Sequence, residues 1–189
     1  MKVIETELKD TYIIEPKVFG DNRGWFMETY SYRVLEEYGI KTNFVQDNQS
    51  YSAPKGTLRG LHFQKPPMTQ AKLVRCTRGA MMDIAVDIRK GSPTYKKWIA
   101  VELSGENKRQ LYVPRGFAHG FITITADVEV QYKADNYYAP ETEGSIIYND
   151  PDIGVTWGKW AENEYTFSAK DKKAPFFKDF VTPFTYEKY

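Results

Sequence analysis

Apolar and polar residues alternate along most of this chain in bursts of four to eight positions, the period of strands with one face packed and one face wet. The bursts predict strands at Phe44 to Asn48, Thr57 to Gln64, Lys72 to Thr77, Met81 to Ile88, Trp98 to Leu103, Gln110 to Val113, Phe121 to Thr125 and Val128 to Tyr132. Turn signals separate them, among them Arg78-Gly79, Lys90-Gly-Ser-Pro93, Ser104-Gly-Glu-Asn107 and Pro114-Arg-Gly116. Many short strands at this spacing argue for an antiparallel sandwich or barrel rather than alternating parallel units. Before Phe44 the pattern is looser: Val3-Ile4, Tyr12-Ile13-Ile14 and Val18-Phe19, interrupted by Pro16, suit one or two edge strands, and Gly20 to Gly24 reads as a tight turn. One short helix is expected over Ser31 to Tyr38, where Ser31 can cap, Val34, Leu35 and Tyr38 share a face, and Gly39 supplies a left-handed stop. After Tyr138 the chain turns loop-rich and ends in an aromatic, proline-punctuated tail, in which Ser168-Ala-Lys-Asp171 has the form of a capping box opening a short helix.

At 189 residues, without a repeat, low-complexity tract or linker, the chain is expected to be a single domain, 1–189. A net charge of +1 asks for neither nucleic acid nor an anionic membrane, so any positive charge that matters must be local. The lone Cys76 rules out an intramolecular disulfide or a cysteine cage for zinc. No apolar run is long enough for a membrane span and the N-terminus lacks a secretory pattern, so a cytoplasmic protein is expected.

The chemistry concentrates around Lys55-Gly-Thr-Leu-Arg-Gly-Leu-His-Phe-Gln-Lys65, which holds His62, one of only two histidines. A histidine titrates near neutrality and merits testing as a base or a ligand, although a lone one in a half-apolar strand is more often structural. The other, His119, lies in Pro114-Arg-Gly-Phe-Ala-His-Gly120, which fits the second half of a cupin signature. The first half offers Gly60-Leu-His62-Phe-Gln64, where Gln64 replaces the second histidine of the usual pair. Two histidines fall short of a catalytic metal's three protein ligands, so no metal is expected. Strand alternation sets Val128, Val130 and Tyr132 on one face, and Lys72 with Val74 and Cys76 on another. A lysine at a strand's first inward position needs an anion or a cleft to justify it. Leu58, Gly60, His62 and Gln64 share a face, and Arg59 points the other way unless Gly60 marks a bulge that re-aims it.

Read together, Asp21-Asn-Arg-Gly-Trp-Phe26, Gln46-Asp-Asn-Gln-Ser50, Leu58-Arg-Gly-Leu-His-Phe-Gln64, Gln70-Ala-Lys-Leu-Val-Arg75, Tyr112 to Gly120, Gln131-Tyr-Lys133, Asn149-Asp-Pro151 and Phe167-Ser-Ala-Lys-Asp171 follow the order of motifs in the dTDP-4-dehydrorhamnose 3,5-epimerase family, which the chain resembles over nearly its whole length. The resemblance implies an all-β, cupin-type jelly-roll barrel with short peripheral helices, free of metal and cofactor, and a homodimer whose N-terminal strands exchange between protomers. It implies inversion of carbons 3 and 5 of a nucleotide sugar, dTDP-4-keto-6-deoxy-D-glucose. By motif, His62 would be the base, Asp171 its orienting carboxylate, Tyr132 the acid and Lys72 the partner of the keto oxygen. Arg23, Arg59 and Lys170 resemble pyrophosphate contacts, Glu28 and the run Gln46-Asp47-Asn48 nucleotide contacts, Tyr138 a stacking ring, and His119 and Glu143 further pocket residues. The sequence departs from the family pattern in a longer loop from Ser50 to Thr57, in Ala71 where glycine is frequent, and in Gly158 where proline usually follows the tryptophan. Two other readings remain open: an enzyme inverting a single carbon of a related 4-keto sugar, and a catalytically silent nucleotide-sugar-binding cupin. The joint presence of His62, Tyr132, Lys72 and Asp171 speaks against the silent binder.

Overall fold

A computed structural model describes residues 1–161 and 164–188. The chain forms strands β1 (Lys2–Glu5), β2 (Tyr12–Glu15), β3 (Val18–Asp21) and β4 (Gly24–Met27), then the short helix α1 (Tyr32–Glu36). β5 (Gln46–Ser52), β6 (Leu58–Gln64), β7 (Lys72–Arg78), β8 (Ala80–Asp87), β9 (Trp98–Ser104), β10 (Gln110–Val113), β11 (Phe117–Thr123), β12 (Val128–Ala134) and β13 (Glu143–Ser145) follow, and then one turn of helix, α2 (Gly158–Ala161).

Two antiparallel sheets face each other, in the order β1-β2-β10-β7-β12-β5 and β13-β6-β11-β8-β9, and β3 pairs with β4 as a separate hairpin. This is the expected all-β jelly-roll architecture. Alternation builds the interior: Val74 and Cys76, Leu111 and Val113, and Val128 and Val130 from the six-stranded sheet meet Met81, Ala85, Val101, Leu103, Phe117 and Phe121 from the other. Each such side chain, fully buried, contributes roughly 1.5–3 kcal/mol. The outer face of the five-stranded sheet carries Leu58, Leu61, Phe63, Ile84, Val86 and Ile122, and the C-terminal tail covers it with Ile153, Trp157, Phe177 and Phe184. On the outside of the other sheet, Leu35 of α1 packs with Ile14, Leu73 and Tyr112.

Four expectations need correction. Before Phe44 the chain forms four strands, β1 to β4, rather than one or two. β11 begins at Phe117 rather than Phe121, so His119 stands within a strand rather than after a turn. β5 runs on to Ser52. Ser168 to Asp171 opens only a three-residue 3-10 turn, Asp171–Lys173. At α1, Ser31 occupies the N-cap with extended backbone but makes no side-chain cap bond, whereas Gly39 ends the helix at φ +81° as expected.

Candidate active site

The barrel interior is apolar towards β9 and β10 and polar where β6, β7, β11 and β12 meet the C-terminal turn. There, one cavity of about 430 Å³ is lined by His62, Lys72, Tyr132 and Asp171, and also by Arg59, His119 and Lys170. Five strands, β5 among them through Ser50, and the tail thus bring together residues up to 121 positions apart, as far as from Ser50 to Asp171.

A bulge in β6 makes this possible. His62 pairs with His119, but Arg59 pairs with Phe121, so Gly60 and Leu61 together oppose Gly120 alone. The phase of β6 switches at that point: Leu58 and Leu61 both enter the outer core, and Arg59 and His62 both line the cavity. Gly60 has φ +137°, and a Cβ there would sit 2.6 Å from the Gly120 Cα. Arg59 is fixed by hydrogen bonds from Nη2 to the Tyr51 carbonyl at 3.1 Å and from Nε to the Ser52 hydroxyl at 3.4 Å.

Asp171 resolves the competition between its capping and its catalytic position by giving each oxygen one partner. Oδ1 lies 2.5 Å from His62 Nε2, Oδ2 accepts from the Ser168 hydroxyl at 2.8 Å, and the Asp171 amide donates back to that hydroxyl at 3.1 Å. Burial pushes the Asp171 carboxyl up, but the hydrogen bonds from His62 and Ser168 and the charges of His62 and Lys170 outweigh it and hold the group below the usual carboxylate range. His62 keeps Nδ1 for the cavity, and its side chain is 30% exposed.

Tyr132 ends the apolar row of β12, as alternation requires. Burial, reinforced by Tyr138 and Glu143, raises its phenol above the ordinary value against the opposing charge of Arg59. The Lys72 ammonium stands 5.5 Å from the centre of the Tyr132 ring. Burial lowers Lys72 to about 8, a fall that the carboxylates of Asp83 and Glu143 oppose. An imidazole backed by a carboxylate, a protonated phenol and a desolvated ammonium around one space can remove a proton from carbon, return one, and stabilise an oxyanion between the two steps.

At the rim, Lys170 forms an ion pair with Glu143, whose Oε2 accepts from the Tyr138 hydroxyl at 3.2 Å. Burial raises Glu143, yet Lys170, the Tyr138 hydroxyl and the charge of His62 leave it lowered overall. Gln46 donates to Asn48 at 3.0 Å and accepts from the Tyr138 amide at 3.1 Å, tying β5 to the rim. Asp47 faces the other side of β5, where it pairs with Lys133 and lines a second cavity of about 300 Å³. Arg23 and Glu28 do not line the 430 Å³ cavity. Arg23 sits at the tip of the β3–β4 hairpin with its side chain 86% exposed and paired with Asp21.

Gln64, at the position of the missing cupin histidine, spends its amide on the backbone. Nε2 donates to the carbonyls of Met68 and Tyr137, and Oε1 accepts from the Ala139 amide. No group of three or more His, Cys, Asp or Glu side chains among the described residues is arranged to hold a metal ion. Sequence reasoning missed two residues of the site, Ser168 in the cavity lining and Asp83 behind it. The second was signalled by an acid at an inward position of the apolar run Met81 to Val86.

Comparison with known proteins places this geometry. The family model described as dTDP-4-dehydrorhamnose 3,5-epimerase matches residues 5–179. The protein of that name from Salmonella typhimurium is 54% identical over 176 residues, covering 93% of this chain and 94% of its own. The crystal structure of the Elizabethkingia anophelis dTDP-4-dehydrorhamnose 3,5-epimerase superposes with a TM-score of 0.90 at 51% identity, over 95% of this chain and 97% of that one. A Legionella pneumophila structure, described as a dTDP-6-deoxy-D-glucose-3,5-epimerase in complex with dTDP-4-keto-L-rhamnose, gives a TM-score of 0.90 at 46% identity, over 95% and 94% of the two chains.

Proposed function

The chain belongs to the dTDP-4-dehydrorhamnose 3,5-epimerase family, and from that premise we infer that it inverts carbons 3 and 5 of dTDP-4-keto-6-deoxy-D-glucose to give dTDP-4-keto-L-rhamnose. The observation that carries the reading is the meeting of His62, Tyr132 and Lys72 in one cavity.

The carbonyl at carbon 4 acidifies the hydrogens on carbons 3 and 5, because either carbanion delocalises into an enolate. His62 takes the proton on Nδ1, and the C–H electron pair moves into the ring to form the enolate. Asp171 fixes the tautomer and stabilises the imidazolium. Negative charge arrives on the oxygen at carbon 4, where the Lys72 ammonium meets it; that contact is stronger in the transition state than with the neutral ketone, which is what accelerates a reaction. Tyr132 then delivers its phenolic proton to the opposite face of the same carbon and is reprotonated from solvent, while His62 releases the proton it took to solvent and is again a base. Repetition at the second carbon completes the inversion, with no change of oxidation state.

Arg59 and Lys170 are assigned to the pyrophosphate, His119 and Glu143 to the sugar, Tyr138 to stacking on the base, and Gln46, Asp47 and Asn48 to the nucleotide. Arg23 and Glu28 lie off the cavity of their own chain, and we assign them to the cavity of a second copy in a homodimer. On this reading residues 1–189 form one domain. No helix among the described residues is long and apolar enough to cross a membrane. A cytoplasmic setting goes with this reading, since a diphosphate-bearing substrate does not cross a bilayer unaided.

The test is incubation with dTDP-4-keto-6-deoxy-D-glucose in heavy water, followed by location of the label. Deuterium at both carbons with net conversion is expected. Label at carbon 3 or carbon 5 alone identifies a single-carbon epimerase, and binding without label identifies a silent cupin.

A further inference from the structure

Asp83 of β8 lies between Met81 and Ala85, which both belong to the apolar interior, and is itself fully buried. Its Oδ1 is 2.7 Å from His119 Nε2, and its Oδ2 has no hydrogen-bond partner. A carboxylate half satisfied in a barrel core is costly. Such a group persists where a cation close by compensates it. Inward alternation from the facing sheet points to one, Lys72, at the head of the row that continues with Val74 and Cys76 and in the cavity that His119 also lines.

We propose that Asp83 is a positioning residue for the epimerisation: from behind the cavity wall it holds His119 by Nε2, turning the other ring nitrogen to the substrate, while its unshared oxygen supplies the negative charge that keeps Lys72 an ammonium inside the barrel. The proposal rests on the reading that Lys72 meets the enolate oxygen. It deepens that reading by saying why a lysine in an apolar barrel is charged when the substrate arrives.

Several elements act on Lys72. β8 contributes Asp83 and β13 contributes Glu143, the two carboxylates that raise it against burial. β12 contributes the Tyr132 ring and β11 contributes His119. Arg59 and His62 of β6, with Lys170 and Asp171 of the C-terminal turn, are the other titratable groups that line the cavity. Of the carboxylates, Asp83 is the stronger influence on Lys72, and Glu143 is also committed to Lys170 and Tyr138.

The variant Asp83→Asn keeps an oxygen that accepts from His119 and removes the charge. The wild-type rate should fall as pH rises through the Lys72 value of about 8. In Asp83→Asn that limb of the kcat profile should move down by roughly one pH unit or more, with activity at pH 6 reduced only several-fold. A uniform loss at every pH with the limb unmoved overturns the proposal. Because an inactive wild type would sink the function rather than this inference, urea unfolding at pH 7 gives a second readout, independent of activity. Asp83→Asn should lower the unfolding midpoint in the wild-type background and raise it in Lys72→Met, where the carboxylate is left without its cation. Equal lowering in both backgrounds overturns the proposal. If Asp83→Asn alone fails to fold, a soluble Lys72→Met/Asp83→Asn pair supports it and an insoluble pair overturns it.

Discussion

At the scale of the residue, the site separates proton removal from proton delivery, and the two can be uncoupled. In Tyr132→Phe the base and the oxyanion partner remain, so His62 still forms the enolate but must return hydrogen to the face it came from. With its side chain 30% exposed, His62 exchanges with solvent. Substrate recovered from heavy water should therefore carry deuterium with unchanged configuration, while net inversion falls by roughly 10²–10⁴-fold. His62→Asn should give neither label nor inversion, and label in that variant would remove His62 from the base's role. Asp171 makes a prediction about stability as well as rate. Its folded-state pKa is lowered, so it stabilises the fold above its unfolded value and the contribution disappears as pH falls through the folded one. Asp171→Asn should lower turnover by about two to four orders of magnitude, as in comparable histidine–carboxylate pairs. It should also flatten the decline of the urea midpoint below about pH 4, a decline that stays steep if the carboxyl is unpaired.

At the scale of the element, what the sequence made legible follows from where apolar periodicity survives. Strands that give the cavity little or nothing, β9 and β10, and β7 beyond its first residue Lys72, carry clean alternation and are located to within a residue or so. β5 carries Gln46, Asn48 and Ser50 on the side towards the site and Asp47, Gln49 and Tyr51 on the other, so the signal fades where the strand serves the ligand. β11 hides its first half behind a Pro-Arg-Gly turn and a mid-strand glycine. β13 is three residues long, too short to show a period. The inward placements of Lys72 and Tyr132 follow from alternation alone, whereas alternation groups His62 with Leu58, which packs in the outer core. Nor does alternation place Arg59, because the bulge at Gly60 depends on the close approach of Gly120 in β11, a tertiary fact. Gly60→Ala should cost about 1–3 kcal/mol for overpacking added to about 1–2 kcal/mol for its left-handed backbone. It should depress kcat together with affinity, since Arg59 and His62 share the bulge. Gly91→Ala is the control: φ is +89° with nothing within 4 Å of an added Cβ, so only the backbone cost should appear. Equal midpoints for the two variants in urea unfolding would remove the packing role assigned to the glycine pair.

At the scale of the whole molecule, the β3–β4 hairpin is the part the single chain leaves unexplained. Its strands pair only with each other, and Phe19, Trp25 and Phe26 are 53%, 57% and 70% exposed. Rings of this size on a projecting hairpin mark a surface that docks, and its tip carries Arg23, the proposed phosphate contact that its own cavity lacks. If a second copy receives the hairpin, two separately dead variants should rescue each other. His62→Asn spoils the cavity and keeps the hairpin intact, whereas Arg23→Ala keeps the cavity and spoils the hairpin. In a mixed dimer, the cavity with His62 receives the hairpin with Arg23, and the other site carries both lesions. Random assortment makes half the dimers mixed with one good site each, so about a quarter of wild-type activity should return on refolding or coexpressing equal amounts. A hairpin serving its own chain returns nothing, because every site then keeps one lesion. Phe26→Asp should shift sedimentation towards a single chain and lower activity together, and a variant that stays assembled would place the contact elsewhere on the surface.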